Sequence, residues 1–459
     1  MQGELSVSGA ATRIEGSLMF LRRTLNVGLD EAVEVLGADG HARLGRISAL
    51  DEAVMVIEVL ESTEGLSPTT TRVRFLGEPL HFAVGRDILG RIFNGVGEVI
   101  DDGPPVAAER RLRIDGLAIS PAARDVPADF IETGITTIDL MNSLVRGQKL
   151  PIFSGGGLPH ARMAIQIAQY ARTRSSTKES FAIVFVGIGV PYNTAETFRQ
   201  AMETSGALEH TVMFLNLASD SSVQRLLTPR FALTAAEYLA FFEGRHVLVL
   251  MTDMTNYCEA LREVSASHAE IPSRKGYPGY MYSDLATLYE RAGCIKGLPG
   301  TLTQMPILTM PADDISHPIP DLTGYITEGQ IVLDRDLDRH GIYPPVKVLP
   351  SLSRLMKDGT GEGYTHADHP ALANQLYAAY ARAVQVRVLA SVVGMEGLPD
   401  VDRKYLAFGD RFEEKLIQQV GTHTLERSMD IGWELLKALP ISELSRLSDE
   451  QIEQYLGES

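Results

Sequence analysis

The stretch Gln148-Lys149-Leu150-Pro151-Ile152-Phe153-Ser154-Gly155-Gly156-Gly157-Leu158-Pro159-His160-Ala161 constrains this chain more than any other. A short apolar run, a glycine-rich turn and a helical pattern from Arg162 to Arg172 follow one another. That is the layout of a phosphate-binding loop, in which a helix N-terminus offers free backbone N–H groups to an anion. The side chains such a loop needs are missing. On the template GxxxxGK[ST], Pro159 replaces the second Gly, His160 the Lys that meets the β/γ-phosphates, and Ala161 the hydroxyl that holds Mg²⁺. The frame of a nucleotide site is present without its chemistry.

Patterning around the loop places it in an α/β sheet. Between about 130 and 345, apolar strands alternate with helical patterns, the mark of a mainly parallel sheet. The expected strands are Lys149 to Phe153, Ala182 to Val186, Val212 to Asn216, Val247 to Thr252 and Thr303 to Thr309. The continuous run Val247-Leu248-Val249-Leu250-Met251 predicts a strand buried on both faces. Helices are expected at Thr194 to Ser205, Phe231 to Phe242 and Ser283 to Ala292. Before this region, alternating short runs with Gly-containing turns predict a small antiparallel barrel or sandwich over residues 1–75. Gly77 to Pro127, rich in turn pairs, reads as a long connection. After about 345 the pattern turns helical, with Pro370 to Val393, Arg403 to Leu406 running into Phe412 to Val420, and Leu425 to Leu439 as the main segments and Ile441 to Leu456 as a short amphipathic end. The expected fold is therefore multidomain α+β: a β-barrel (1–75), an α/β nucleotide-binding-type domain with a degenerate loop (76–348) and a helical domain (349–459).

Charge excludes one class of function. The chain has 42 Lys and Arg against 59 Asp and Glu, a net charge of −17, and no basic run reverses this locally, so nucleic-acid binding and helicase activity are excluded. The two cysteines, Cys258 and Cys294, are too few for a disulfide framework and lack metal-ligand spacing; they are expected to be small core residues, and no metal site is expected. The N-terminus has no basic start followed by an apolar core, so no secretory leader is expected. No stretch reaches the roughly 20 apolar residues of a membrane-crossing helix; membrane association is expected only through partners.

A nucleotide hydrolase also needs a carboxylate for Mg²⁺ and a group that activates water. Asp253 ends the strand Val247–Thr252 where such a carboxylate would stand, although an Asp there is equally a helix cap. Where a water-activating Glu would follow Gly189, the chain has Val190, which neither polarises water nor accepts its proton. Pro159, His160, Ala161 and Val190 fail together, which argues against hydrolysis in the chain's own site. His160 could hydrogen-bond a phosphate, but its charge at neutral pH is only partial.

Five long stretches carry a resemblance: Leu144–Ser154 (LVRGQKLPIFS), Thr252–Glu263 (TDMTNYCEALRE), Gly276–Leu285 (GYPGYMYSDL), His317–Gln330 (HPIPDLTGYITEGQ) and Pro350–Leu355 (PSLSRL). In these the chain resembles the non-catalytic, regulatory B subunits of V-type and archaeal-type rotary ATPases, of the sort also found in bacteria. The resemblance implies a head of three catalytic A and three B subunits around a rotating stalk, with each B chain built from a β-barrel, a RecA-like domain and a helical bundle. Central and peripheral stalk subunits would be further partners, and the complex would lie on the cytoplasmic face of a membrane. It also implies that Arg354 reaches into the neighbour's site as an arginine finger, a planar cation on the γ-phosphate of ATP held with Mg²⁺ at the A–B interface. Ser316 would line the same shared site, although a Ser before His-Pro is as readily a turn residue. Lys347 departs from the Asn or Asp common in the wider family's signature. Ser154, Gly155, Gly156, Gly157, Leu158, Pro159 and His160 would form a weak or vestigial nucleotide site, with no firmly bound cofactor. Two other readings stand beside this one: a self-standing RecA-like hexameric ATPase with a variant loop, and a scaffold that never binds nucleotide.

Overall fold

The computed structural model describes all residues except 1–4, 9–10, 117–118, 174–180, 269 and 458–459. Part of the N-terminal segment used in the leader argument thus lies outside the described residues. The chain divides into two compact units, one of residues 1–118, 184–243 and 253–291, the other of 119–183, 244–252 and 292–459.

In the first unit, seven strands form an antiparallel sheet: β1 (Leu5–Ser8), β2 (Ala11–Glu15), β3 (Leu18–Arg22), β4 (Glu31–Leu36), β5 (Ala42–Leu50), β6 (Val54–Val59) and β7 (Arg72–Pro79), in the order β1-β7-β4-β5-β6-β3-β2. Alternation supplies its core, with Met19, Leu21, Val33, Val35, Ile47, Ile57 and Val73 packed together. Among the described residues no pairing joins β1 to β2, so the expected barrel is an antiparallel sheet here. The expected connection after Gly77 is more structured than its turn pairs suggest. His81–Val84 pairs with Arg110–Arg113, and Ile92–Asn94 pairs in parallel with Met213–Leu215. Aromatic packing explains this: Phe82 and Phe93 lie 5.5 Å apart and meet Phe214 and Phe231 in one buried cluster.

The same unit holds the helices Tyr192–Ser205, Ser222–Glu237, Met254–Ser267 and Met281–Tyr289. The second starts nine residues before the expected Phe231 and runs through Pro229. Ser221 caps it by accepting the Gln224 N–H, and buried Val223, Leu226 and Leu227 offset the roughly 3 kcal/mol that an internal proline costs.

In the second unit, strands lie in the order Leu352–Ser353, Gly329–Val332, Ile152–Gly155, Thr301–Met310 and His246–Thr252. The last four run parallel to their neighbours and the first is antiparallel. Every residue of His246–Thr252 is buried, as its apolar run predicts. Cys258 is buried in the first unit and Cys294 half-buried in the second.

Helices His369–Val393, Asp400–Phe412, Leu425–Leu436 and Asp449–Leu456 form a bundle. Its core joins Leu372, Leu376, Phe408, Phe412 and Leu436, and Trp433 stacks on Tyr455 at 4.2 Å. By length and composition His369–Val393 is apolar enough to cross a bilayer, which corrects the sequence expectation. Its surroundings are those of a bundle helix: Leu372, Leu376, Ala379 and Ala383 enter the core, and Arg382 and Arg387 pair with Asp402, Asp410 and Glu413.

Candidate functional site

The degenerate loop joins the strand Ile152–Gly155 to the helix His160–Tyr170, two residues earlier than the expected Arg162. Two of its backbone donors are consumed locally. The Leu158 N–H donates to the Gly155 carbonyl (3.1 Å) and the His160 N–H to the Leu158 carbonyl (2.8 Å), while Pro159, between them, has no N–H. Three successive positions that would face a phosphate therefore offer it nothing. The His160 ring also turns inward, its Nδ1 lying 3.1 Å from Ser154 Oγ at the buried strand end. With no lysine and no hydroxyl at 161, these residues do not fit a tightly held Mg²⁺-nucleotide.

Two residues that sequence reading missed clamp this loop. Arg335 donates to both carboxylate oxygens of Asp313, at 2.6 and 2.9 Å, and at 2.9 Å to the Gly156 carbonyl. The guanidinium holds the Asp313 carboxyl below the usual carboxylate range. Asp313 and its neighbour Ala312 both adopt left-handed backbone, φ 55° and 57°, a conformation non-glycine residues keep only when their surroundings enforce it. A methyl group at Gly155 would overlap the Asp313 carboxylate and displace it from Arg335. Nothing in the local sequence signals a pair 22 residues apart.

In the first unit, Val190 is buried and its carbonyl accepts the Ala218 N–H at 2.8 Å, a packing role only. Asp253 caps the helix Met254–Ser267, its Oδ1 accepting the Thr255 N–H at 2.8 Å. Both residues do the bland work that their types allow.

Arg354 is different. It directly follows the edge strand Leu352–Ser353, and its N–H donates to the Glu328 carbonyl at 3.0 Å. Its side chain is exposed and, among the described residues, makes no ion pair or hydrogen bond. A cation on an anchored backbone with an uncommitted guanidinium can meet an anion brought by another molecule. Ser316 is exposed, and its N–H and hydroxyl both bond Asp314 Oδ1, at 2.9 and 2.6 Å, as a turn serine does.

The model of the ATP synthase alpha/beta family nucleotide-binding domain matches residues 134–353, and that of the C-terminal domain of V and A type ATP synthase matches 358–456. The V-type ATP synthase beta chain of Halothermothrix orenii is 55% identical over 444 residues, covering 96% of either chain. The solved structure of the ATP synthase subunit NeqB from Nanoarcheaum equitans is 38% identical, with a TM-score of 0.74 over 92% of this chain and all of that one. Matched at this identity along almost its whole length, the chain belongs to the family of V-type ATP synthase beta chains.

Proposed function

We propose that this chain is the non-catalytic, regulatory B subunit of a V/A-type rotary ATPase or ATP synthase. It alternates with the catalytic A subunit in a hexamer of three A and three B chains, contacts central and peripheral stalk subunits, and lies on the cytoplasmic face of the membrane, which it meets only through other subunits. ATP made or spent in the head is coupled to proton or sodium transport. The chain contributes an N-terminal antiparallel β domain (1–75), a RecA-like domain (76–348) and a helical domain (349–459).

Its chemical contribution is Arg354, supplied to the A-subunit site in trans, with Ser316 lining the same site. Negative charge develops on the γ-phosphoryl oxygens during transfer, and a fixed cation there stabilises the transition state more than the ground state. Arginine suits this because its planar guanidinium stays charged and meets phosphate oxygens in a fork. The observation that carries the reading is the contrast between two places in one chain: a phosphate loop with no lysine, whose Leu158 and His160 N–H groups bond within the loop, and an arginine whose backbone is held and whose charge is uncommitted.

The test is ATP turnover by the assembled A–B complex. Arg354→Ala is expected to lower it by roughly 10³–10⁵-fold, the range for an arginine supplied in trans. Turnover near wild type overturns the reading.

A further inference from the structure

Beneath Arg354 lies a buried polar network that the fold alone does not require. Gln148 is fully buried, and both its amide hydrogens and its carbonyl oxygen are engaged. Its Nε2 donates to the Glu328 carbonyl (3.1 Å) and to Ser353 Oγ (3.0 Å), and its Oε1 accepts the Val145 N–H (3.0 Å). Ser353 Oγ in turn donates to the Ser143 carbonyl at 2.8 Å. The Glu328 carbonyl that receives Gln148 is the same one that receives the Arg354 N–H. Lys149 fixes the Glu328 carboxylate from both ends, through its N–H at 2.8 Å and its ammonium at 2.9 Å.

The strand that delivers Arg354 is short. Among the described residues two ladder pairs, Gly329 with Ser353 and Gln330 with Leu352, join it to the sheet, and just before it Gln330 Nε2 donates to the Pro350 carbonyl (3.1 Å) and the Val332 N–H to Ser351 Oγ (2.9 Å). Apolar packing resists separation of two strands but sets no hydrogen-bond direction. The amide of Gln148 and the hydroxyl of Ser353 do set one, and burial makes their bonds strong while making any misalignment costly.

We propose that Gln148 and Ser353 are positioning residues for Arg354. They lock the edge strand against Glu328 and Ser143, so that the guanidinium leaves the surface from one fixed point. This rests on the reading of Arg354 as the cation supplied to the neighbouring site.

The experiment uses the assembled A–B complex, with hexamer formation checked by size-exclusion chromatography and ATP turnover followed against ATP concentration. Ser353→Ala and Gln148→Leu are each expected to lower kcat about 10- to 100-fold, the scale of a misplacement near 1 Å, with KM for ATP unchanged. Ser353→Thr, which keeps the hydroxyl, is expected to retain most of the turnover. In an Arg354→Ala background, measured by single turnover, neither substitution is expected to cause further loss, because each acts through the arginine. If Arg354→Ala is crippled while Ser353→Ala and Gln148→Leu turn over normally, the positioning role is overturned and the arginine reading survives. Losses that persist in full on top of Arg354→Ala, or hexamers that fail to form with either variant, also overturn it and assign the network to general structure. Wild-type turnover by Arg354→Ala itself overturns both.

Discussion

Asp313 explains why position 155 is glycine. Its carboxylate, presented by a left-handed backbone and gripped by Arg335, occupies the space that a side chain at 155 would enter. Gly155→Ala is therefore expected to destabilise the chain by about 1–3 kcal/mol, the usual cost of overpacking. In urea melts the pair Gly155→Ala/Asp313→Ala is expected to be more stable than the sum of the two single losses, because removing the carboxylate makes room for the methyl group. Strictly additive losses would show that the overlap is absorbed elsewhere. Nearby, the sequence fails to disclose what His160 does. Its type allowed a phosphate contact but fitted better a loop histidine facing a solvated or vestigial pocket, and the structure engages its ring with Ser154. Polarity was legible; direction was not.

At the scale of elements, the join between Gly329–Val332 and Leu352–Ser353 is the sensitive one. Gly329 has φ 132°, and a Cβ there would overlap the Leu352 carbonyl, which is backbone and cannot swing aside. Gly329→Ala is expected to cost about 3 kcal/mol through strain and overlap together and to speed amide exchange of Arg354, whose N–H bonds the adjacent Glu328 carbonyl. Unchanged exchange would mean that the edge strand is held without this close approach. Elements with strong periodicity or long apolar runs were legible: His246–Thr252, Tyr192–Ser205, His369–Val393 and Leu425–Leu436 stand within a few residues of expectation. The misses have physical causes. The helix Ser222–Glu237 starts well before the expected Phe231 because burial of Val223, Leu226 and Leu227 overrides the local preference of Pro229. The turn-rich segment after Gly77 carries strands because its Phe82 and Phe93 pack with Phe214 and Phe231, distant in sequence.

For the molecule as a whole, the loop and the arginine predict an imbalance between what the chain does alone and in company. Purified by itself it is expected to show no MgATP hydrolysis and only weak binding of a fluorescent ADP analogue. The combined substitution Pro159→Gly, His160→Lys and Ala161→Thr is expected to tighten that binding by restoring a cation, a hydroxyl and a backbone N–H. Robust hydrolysis by the unmodified chain, lost on His160→Ala, would instead favour a self-standing ATPase.

The sequence by itself determined which groups are present. Position by position, it established that the loop lacks lysine, hydroxyl and second glycine, that Val190 stands where an acid is needed, and that an arginine follows Ser353. Those are statements about chemical identity and require no fold. Tertiary structure decided which groups meet. The Leu158 and His160 N–H groups turn inward, Arg335 closes on Asp313, and Gln148 reaches Ser353 across 205 residues of chain. Hydrogen bonds act over about 3 Å and are indifferent to sequence separation, so a contact of that kind becomes visible only once the sheet has brought its strands together.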